Sequence, residues 1–290
     1  MNAVASFLSK PEPSDEAIVH PRKIRTVTTG YHHGPITRLV SPADLGQWIK
    51  PFVFLDTGVL PASATPLFGI HPHSGIATLT TVLSGRVAYE DTTGKQGEVP
   101  TGGLEWMRAA GGVWHDGHVV GDTPVEFFQL WVTLPADQEN GVPESQNIAP
   151  EEVPAVGPAR VLLGHYQGVN SPIRAPAGIT YLHVRLKAGE QWRFQPNPNE
   201  TVAWMALHRG TTTVPERLSA GDLVIFEESG DGIDVVAHDD VSFVLGAAVK
   251  HPHPLVMGKY SVHTNPRALA EGEAEIARIG QRLRAAGRLK

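Results

Sequence analysis

The sequence predicts an all-β chain of two sandwich or barrel domains closed by one helix. Three observations predict it. Thirty glycines and 24 prolines in 290 residues punctuate short β-branched and aromatic runs, the mark of strands joined by tight turns. From Pro135 to Ala159 the chain reads PADQENGVPESQNIAPEEVPAVGPA, a composition that separates domains rather than filling a core. After Thr264 the alternating pattern gives way to helical spacing.

The elements follow in order. Residues 1–20 are expected to form a disordered tail: the apolar stretch Ala3 to Leu8 is short, no basic residue precedes it, and Pro and acidic residues follow, so it fails as a signal peptide. With no apolar run near the length of a membrane helix, the cytoplasm is the expected location. A first domain is predicted over residues 21–135, with strands at Thr78 to Leu83, Arg86 to Glu90, Leu104 to Arg108 and Val125 to Val132. A linker is expected over 136–159. The second domain, 160–262, has strands at Ile179 to Leu186, Thr201 to Leu207, Leu223 to Phe226 and Val241 to Val249. The segment 263–290 is the helix. Asn265 suits its cap, Pro266 its first position, and Ile276, Ile279 and Leu283 form an apolar stripe to lay on a β domain.

A faint repeat links the two halves. Val82-Leu-Ser-Gly85 followed by Gly102-Gly-Leu-Glu-Trp106 resembles Leu207-His-Arg-Gly210 followed by Gly221-Asp-Leu-Val-Ile225. Counting back from Gly85 reaches His73 and His71, whereas the same distances from Gly210 reach Pro198 and Pro196. The chemistry is therefore expected in the first half alone.

Composition narrows that chemistry. The net charge is −6, and the only basic cluster is the short Pro21-Arg-Lys-Ile-Arg25, so direct nucleic-acid binding is not expected. The chain has no cysteine, which removes thiolate nucleophiles and zinc–thiolate sites and leaves nitrogen and oxygen to hold any metal. Two stretches offer imidazoles: His71-Pro-His73 and His251-Pro-His253. Among 14 histidines such a pair is weak evidence by itself. On a strand, however, His71 and His73 point to one side about 7 Å apart and can converge on one ion. The run Leu104 to His118, a strand, a glycine turn and a second short strand, brings His115 and His118 as further candidates. His251 and His253 lie in a proline-broken segment with no matching third histidine, and are expected to be exposed loop residues.

Together the segments His71-Pro-His-Ser-Gly75, Trp106-Met-Arg-Ala109, Gly112-Val-Trp-His115, Gln129-Leu-Trp-Val-Thr-Leu-Pro135 and Gly258-Lys-Tyr-Ser-Val-His-Thr264 resemble the pirin family of the cupin superfamily. The likeness spans roughly residues 21 to 275 and is densest in the first domain. It implies two jelly-roll (cupin) β-barrels with a C-terminal α-helix and one iron or other divalent ion, nickel or zinc included, in the first barrel. Some pirins are quercetin dioxygenases; others are nuclear proteins that modulate transcription factors.

The family's ligands are H-P-H and then H-x-E. His71, His73 and His115 match the histidines, but Gly117 stands at the glutamate, and Ala77 replaces an acid that usually follows the first motif. Three accounts of the gap are open. His118 rotates in as a fourth ligand, which needs a bulge because a strand neighbour of Gly117 faces the other way. Alternatively, three histidines leave positions open for substrate and dioxygen. In the third account the metal is lost and the histidines merely line a pocket. We favour the second, with Fe(II) bound and a flavonol- or diketone-like substrate such as quercetin. The rival expectation is a non-enzymatic module that senses a metal or small ligand and binds a protein partner.

Overall fold

The computed structural model describes residues 21–62 and 69–289. The tail expected over residues 1–20 lies outside them. Every strand anticipated above is present, with ends shifted by at most two residues: Ile76–Ser84, Arg86–Asp91, Leu104–Arg108, Val125–Thr133, Ile179–Leu186, Val202–Arg209, Leu223–Phe226 and Val241–Ala248.

Each half of the chain builds a large sheet facing a four-stranded one. The large sheets have seven and eight strands, and the small sheets run 71–73, 113–119, 86–91, 96–100 in the first unit and 191–194, 233–237, 211–214, 216–219 in the second. The strands before Gly85 and Gly210 hold equivalent central positions, so the repeat read from sequence is a duplicated architecture. Alternation along the strands then decides what each face meets. Outward residues of the two large sheets, including Leu79, Trp106, Phe128 and Leu130 from the first and Tyr181, Trp204 and Val244 from the second, form one apolar core that joins the units back to back. The ring of Phe52 meets Trp204 edge-on at 5.4 Å across that core.

The barrel interiors differ. The second is filled by apolar side chains such as Leu182, Phe194, Met205, Val235 and Phe243. The first has only a small cluster around Val82, Val99, Val125 and Phe127, and the remaining interior is a cavity. The offsets that pointed to Pro196 and Pro198 miss the strand equivalent to His71–His73, which is Gln191–Phe194. The second copy needs the longer connection 195–201 before its central strand, whereas two residues suffice in the first.

The linear division into domains departs from the fold in three places. Ile24–Thr28, assigned to the first domain by position, pairs with Leu223–Phe226 in the second sheet. Buried Arg22 anchors it by donating to the carbonyls of Glu227 and Thr201. Reciprocally Glu144–Ile148, inside the expected linker, pairs with Leu104–Arg108 in the first sheet, while Ala155–Val156 pairs in the second. Each exchanged strand covers an edge that would otherwise leave backbone donors and acceptors unpaired. The third departure comes after Ala248. The chain returns to the first unit, where Ser261 bridges Ser74 and Val256–Met257 pairs with Val262–His263.

The helix is Pro266–Ala285, with the Asn265 side chain accepting from Ala268 N at 2.9 Å. Its stripe of Ile276, Ile279 and Leu283 is buried. It docks on the first unit, where Trp114 Nε1 donates to Ile276 O at 2.8 Å. Among the described residues no helix is long and apolar enough to cross a membrane.

Candidate metal centre

Two strands of the small sheet build the centre. His71 and His73 lie on one face of the His71–His73 strand, and His115, on Val113–Val119, sits directly opposite His71. The ligand nitrogens of the three lie within 4.8 Å of one another. His71 Nε2 and His115 Nε2 approach to 3.0 Å.

Backbone carbonyls fix the ring orientations. His71 Nδ1 donates to Gly69 O and His73 Nδ1 to Tyr260 O, both at 2.9 Å. With Nδ1–H committed to a carbonyl, each ring presents the lone pair of Nε2 inward, the tautomer a metal ligand needs. Burial holds all three imidazoles neutral: it lowers His71, pushes His73 down to about 3 with help from His71, and takes His115 well below its usual range. Three convergent, neutral nitrogen donors, two of them oriented by carbonyls, fit a divalent cation of intermediate softness.

Tyr260 belongs to the returning C-terminal segment, and a buried network locks that segment in place. Ser74 Oγ lies 2.8 Å from Ser261 Oγ and 3.0 Å from His263 Nε2. Glu139 accepts from Thr264 N at 2.7 Å and from Thr264 Oγ1 at 2.6 Å. Its carboxylate is also 3.2 Å from His263 Nδ1, but off the line of an N–H bond, so this contact is electrostatic rather than a hydrogen bond. Gly75 makes the close passage feasible. Its φ is +76°, and a Cβ there would stand 2.1 Å from Val262 O.

The other predicted residues fall outside the cluster. His118 pairs in the backbone with Ala88 and is exposed, its ring apart from the three gathered nitrogens. Gly117 lines the cavity beside His115. His251 and His253 lie outside the gathered cluster, and the expectation that both are exposed fails: His251 is 7% exposed and His253 is half-buried. The returning chain crosses the first unit there, with His251 N donating to Lys50 O at 3.2 Å.

The centre opens on a cavity of about 440 Å³. Trp131 packs edge-on against His73 at 4.7 Å and stacks on Phe54 at 4.0 Å, so the alternation of Phe127 and Trp131 places both on the cavity wall, while Trp106 faces the core between the units. Reading the sequence missed Arg38, Asp56, Thr80, Glu105, Lys259 and Tyr260, all of which line this space. The signal for Glu105 was there: an acid between Leu104 and Trp106 on a buried strand must face inward when both neighbours face out.

Glu105 is 6% exposed. Burial pushes its carboxyl up to about 7 against the opposing hydrogen bond from Thr80, with Asp91 adding to the rise. A carboxyl raised on folding contributes stability that is complete below its unfolded pKa near 4.5 and is lost as pH climbs through 7. Glu105→Gln abolishes that titration. In urea unfolding of metal-free protein, the variant's stability relative to wild type should therefore rise by about 3 kcal/mol between pH 5 and pH 8. A pH-independent difference would show that Glu105 is not held in this way.

Comparisons with known proteins follow the same lines. The sequence pattern of the family described as Pirin matches residues 36–132. A Pseudomonas aeruginosa protein named "Putative quercetin 2,3-dioxygenase" is 29% identical over 239 residues, spanning 77% of this chain and 83% of that protein. A pirin-like protein of Caulobacter vibrioides is 30% identical over 220 residues, 72% of this chain and 79% of its own. Among solved structures, a quercetin 2,3-dioxygenase from Acinetobacter baumannii superposes with a TM-score of 0.82 at 23% identity, covering 89% of this chain and 98% of that one. A bacterial pirin from Escherichia coli in complex with nickel(II) gives a TM-score of 0.62 at 20% identity, over 80% and 99% of the two chains. At these identities the structural likenesses concern the fold.

Proposed function

The chain belongs to the pirin family, and from that premise we propose that it is a metal-dependent oxygenase whose ion, iron(II) before nickel or zinc, is held by His71, His73 and His115. The observation that carries this reading is the convergence of three neutral imidazoles, two of them oriented by backbone carbonyls, on the wall of an aromatic-lined cavity. The similar E. coli pirin holding nickel(II) supports a divalent ion in this fold. When bound, the ion supplies Lewis acidity and redox chemistry with dioxygen.

The chain's own residues do the rest. Trp131, backed by Phe54, and Phe127 offer apolar walls that receive a planar ligand and exclude water, while Phe54 itself is held between Trp131 and the Arg38 guanidinium. Lys259 adds a positive charge to the lining, and with no carboxylate at position 117 an anionic oxygen ligand meets no repulsion from that strand position. A flavonol- or diketone-like substrate such as quercetin has that character, and the similar proteins named for quercetin dioxygenation support the choice.

The test is anaerobic reconstitution with iron(II), followed by oxygen-electrode measurement with quercetin. About one iron per chain and substrate-dependent oxygen uptake are expected. One observation favours a second reading: Gly117 in place of the family's glutamate suits a non-enzymatic metal- or ligand-sensing regulator of a protein partner. Iron binding with ligand binding but no oxygen uptake selects the regulator. Absence of metal binding removes the oxygenase.

A further inference from the structure

Five strands each contribute one residue to a polar row across the cavity face of the large sheet. Backbone pairing sets Glu105 opposite Thr80, Thr80 opposite Gln129, Gln129 opposite Asp56 and Asp56 opposite Arg38. All five line the cavity. Apolar residues occupy the next row on one side, with Val82 opposite Phe127, and Trp131 and Phe54 lie in the row on the other side.

One half of the row is closed. Arg38 makes two hydrogen bonds to Asp56, Nε to Oδ1 at 2.8 Å and Nη2 to Oδ2 at 2.9 Å. The other half is not. Thr80 Oγ1 lies 2.8 Å from Glu105 Oε2 and 2.9 Å from Gln129 Oε1, and one hydroxyl proton cannot serve two acceptors. A proton on Glu105 completes the chain in one direction, and Gln129 turned to present its amide nitrogen completes it in the other. In both arrangements Glu105 Oε1 has no hydrogen bond among the described residues, although only 6% of the residue is exposed. That oxygen is not sealed in the core: it belongs to the cavity wall and is free to accept from, or donate to, whatever fills the cavity.

Position gives the vacant group its meaning. Gln129 stands two residues along its strand from Trp131, whose ring touches His73, so the row lies about 7 Å beyond the histidine end of the cavity. Glu105 is outside the cluster of gathered nitrogens. We propose that Glu105, with Thr80 and Gln129, is a hydroxyl-recognition site remote from the histidines, selecting chelating oxygen ligands that carry a phenolic hydroxyl on a ring beyond the chelating pair. A small diketone occupying only the histidine end leaves this row unpaired; a hydroxylated aryl flavonol engages both ends. The near-neutral carboxyl serves this role because it can accept from a phenol when ionised and donate to its oxygen when protonated.

This inference rests on the flavonol reading of the same cavity, and the experiment separates the two. Protein loaded with zinc, which carries out no redox turnover, is titrated with 3-hydroxyflavone and with 4′-hydroxyflavonol, which has the same chelating pair plus a pendant-ring hydroxyl. Binding is read by tryptophan fluorescence and calorimetry. Wild type should prefer the hydroxylated ligand roughly tenfold. Glu105→Leu and Thr80→Val should lower that preference below about twofold, with zinc content kept and 3-hydroxyflavone bound at least as tightly as by wild type, since an apolar wall replaces one its ring leaves unpaired. Equal wild-type affinity for the two ligands overturns the inference and spares the proposed function, as does a preference that survives in both folded variants. Binding of neither ligand overturns both. The wild-type comparison stands even if a variant fails to fold.

Discussion

His115→Ala should reduce bound metal from about one ion per chain to background. His115 faces His71 across two paired strands with their Nε2 atoms 3.0 Å apart, and it is one of only three gathered donors among the described residues. Removing a direct ligand from a three-nitrogen set should cost more than the 10–100-fold typical of losing an outer-shell partner. The measurement is anaerobic iron(II) titration of each variant. His118→Ala should leave affinity unchanged, because that side chain is exposed and lies outside the cluster. Gly117→Glu should tighten binding: position 117 lines the cavity, and the nearest atom to a Cβ there is Ala88 O at 3.5 Å, so the carboxylate has room. If His118→Ala loses metal as severely as His115→Ala, the three-histidine assignment is wrong and the four-histidine account replaces it.

Glu139→Ala should destabilise the protein by about 3 kcal/mol or more, because it strips a buried carboxylate from Thr264 N, Thr264 Oγ1 and the neighbouring His263 ring. The second consequence is functional. The segment that Glu139 anchors carries Tyr260, whose carbonyl accepts from His73 Nδ1 and holds that ring in its ligand tautomer. Releasing the segment should weaken metal binding roughly 10–100-fold under conditions where the variant is still folded. Urea unfolding and metal titration of the same preparation check both parts. Lost stability with unchanged metal affinity would show that the C-terminal return braces the fold without positioning His73.

These two variants differ in how far the sequence foretold them. His71 and His73 were legible because a strand period of two puts both on one face; the glycine turn offered His115 and His118 alike, and the resemblance to the pirin family singled out His115. The eight strands, the duplicated architecture and the capped helix were legible for the same reason: their signals lie within a few residues of the element they describe. Glu105 was legible in principle as an inward acid on a buried strand, but its partners Thr80 and Gln129 come from separate strands, and only sheet register aligns them.

Glu139 was hidden altogether. It lies in a stretch whose Pro and Glu content reads as a solvated linker, yet it is 1% exposed because residues 255–264 return from the far end of the chain to cover it. The exchange of Ile24–Thr28 and Glu144–Ile148 between the sheets was invisible too: neither segment was anticipated as a strand, the second reading as linker, and periodicity in any case does not say which edge a strand covers. The sequence by itself determined eight of the strands, the capped helix and the shared face of His71 and His73, all products of local stereochemistry. Only the tertiary structure decided that one barrel stays hollow, that a distant carbonyl orients His73 and that a polar row lies within reach of the histidines, because each depends on contacts between segments far apart in the chain.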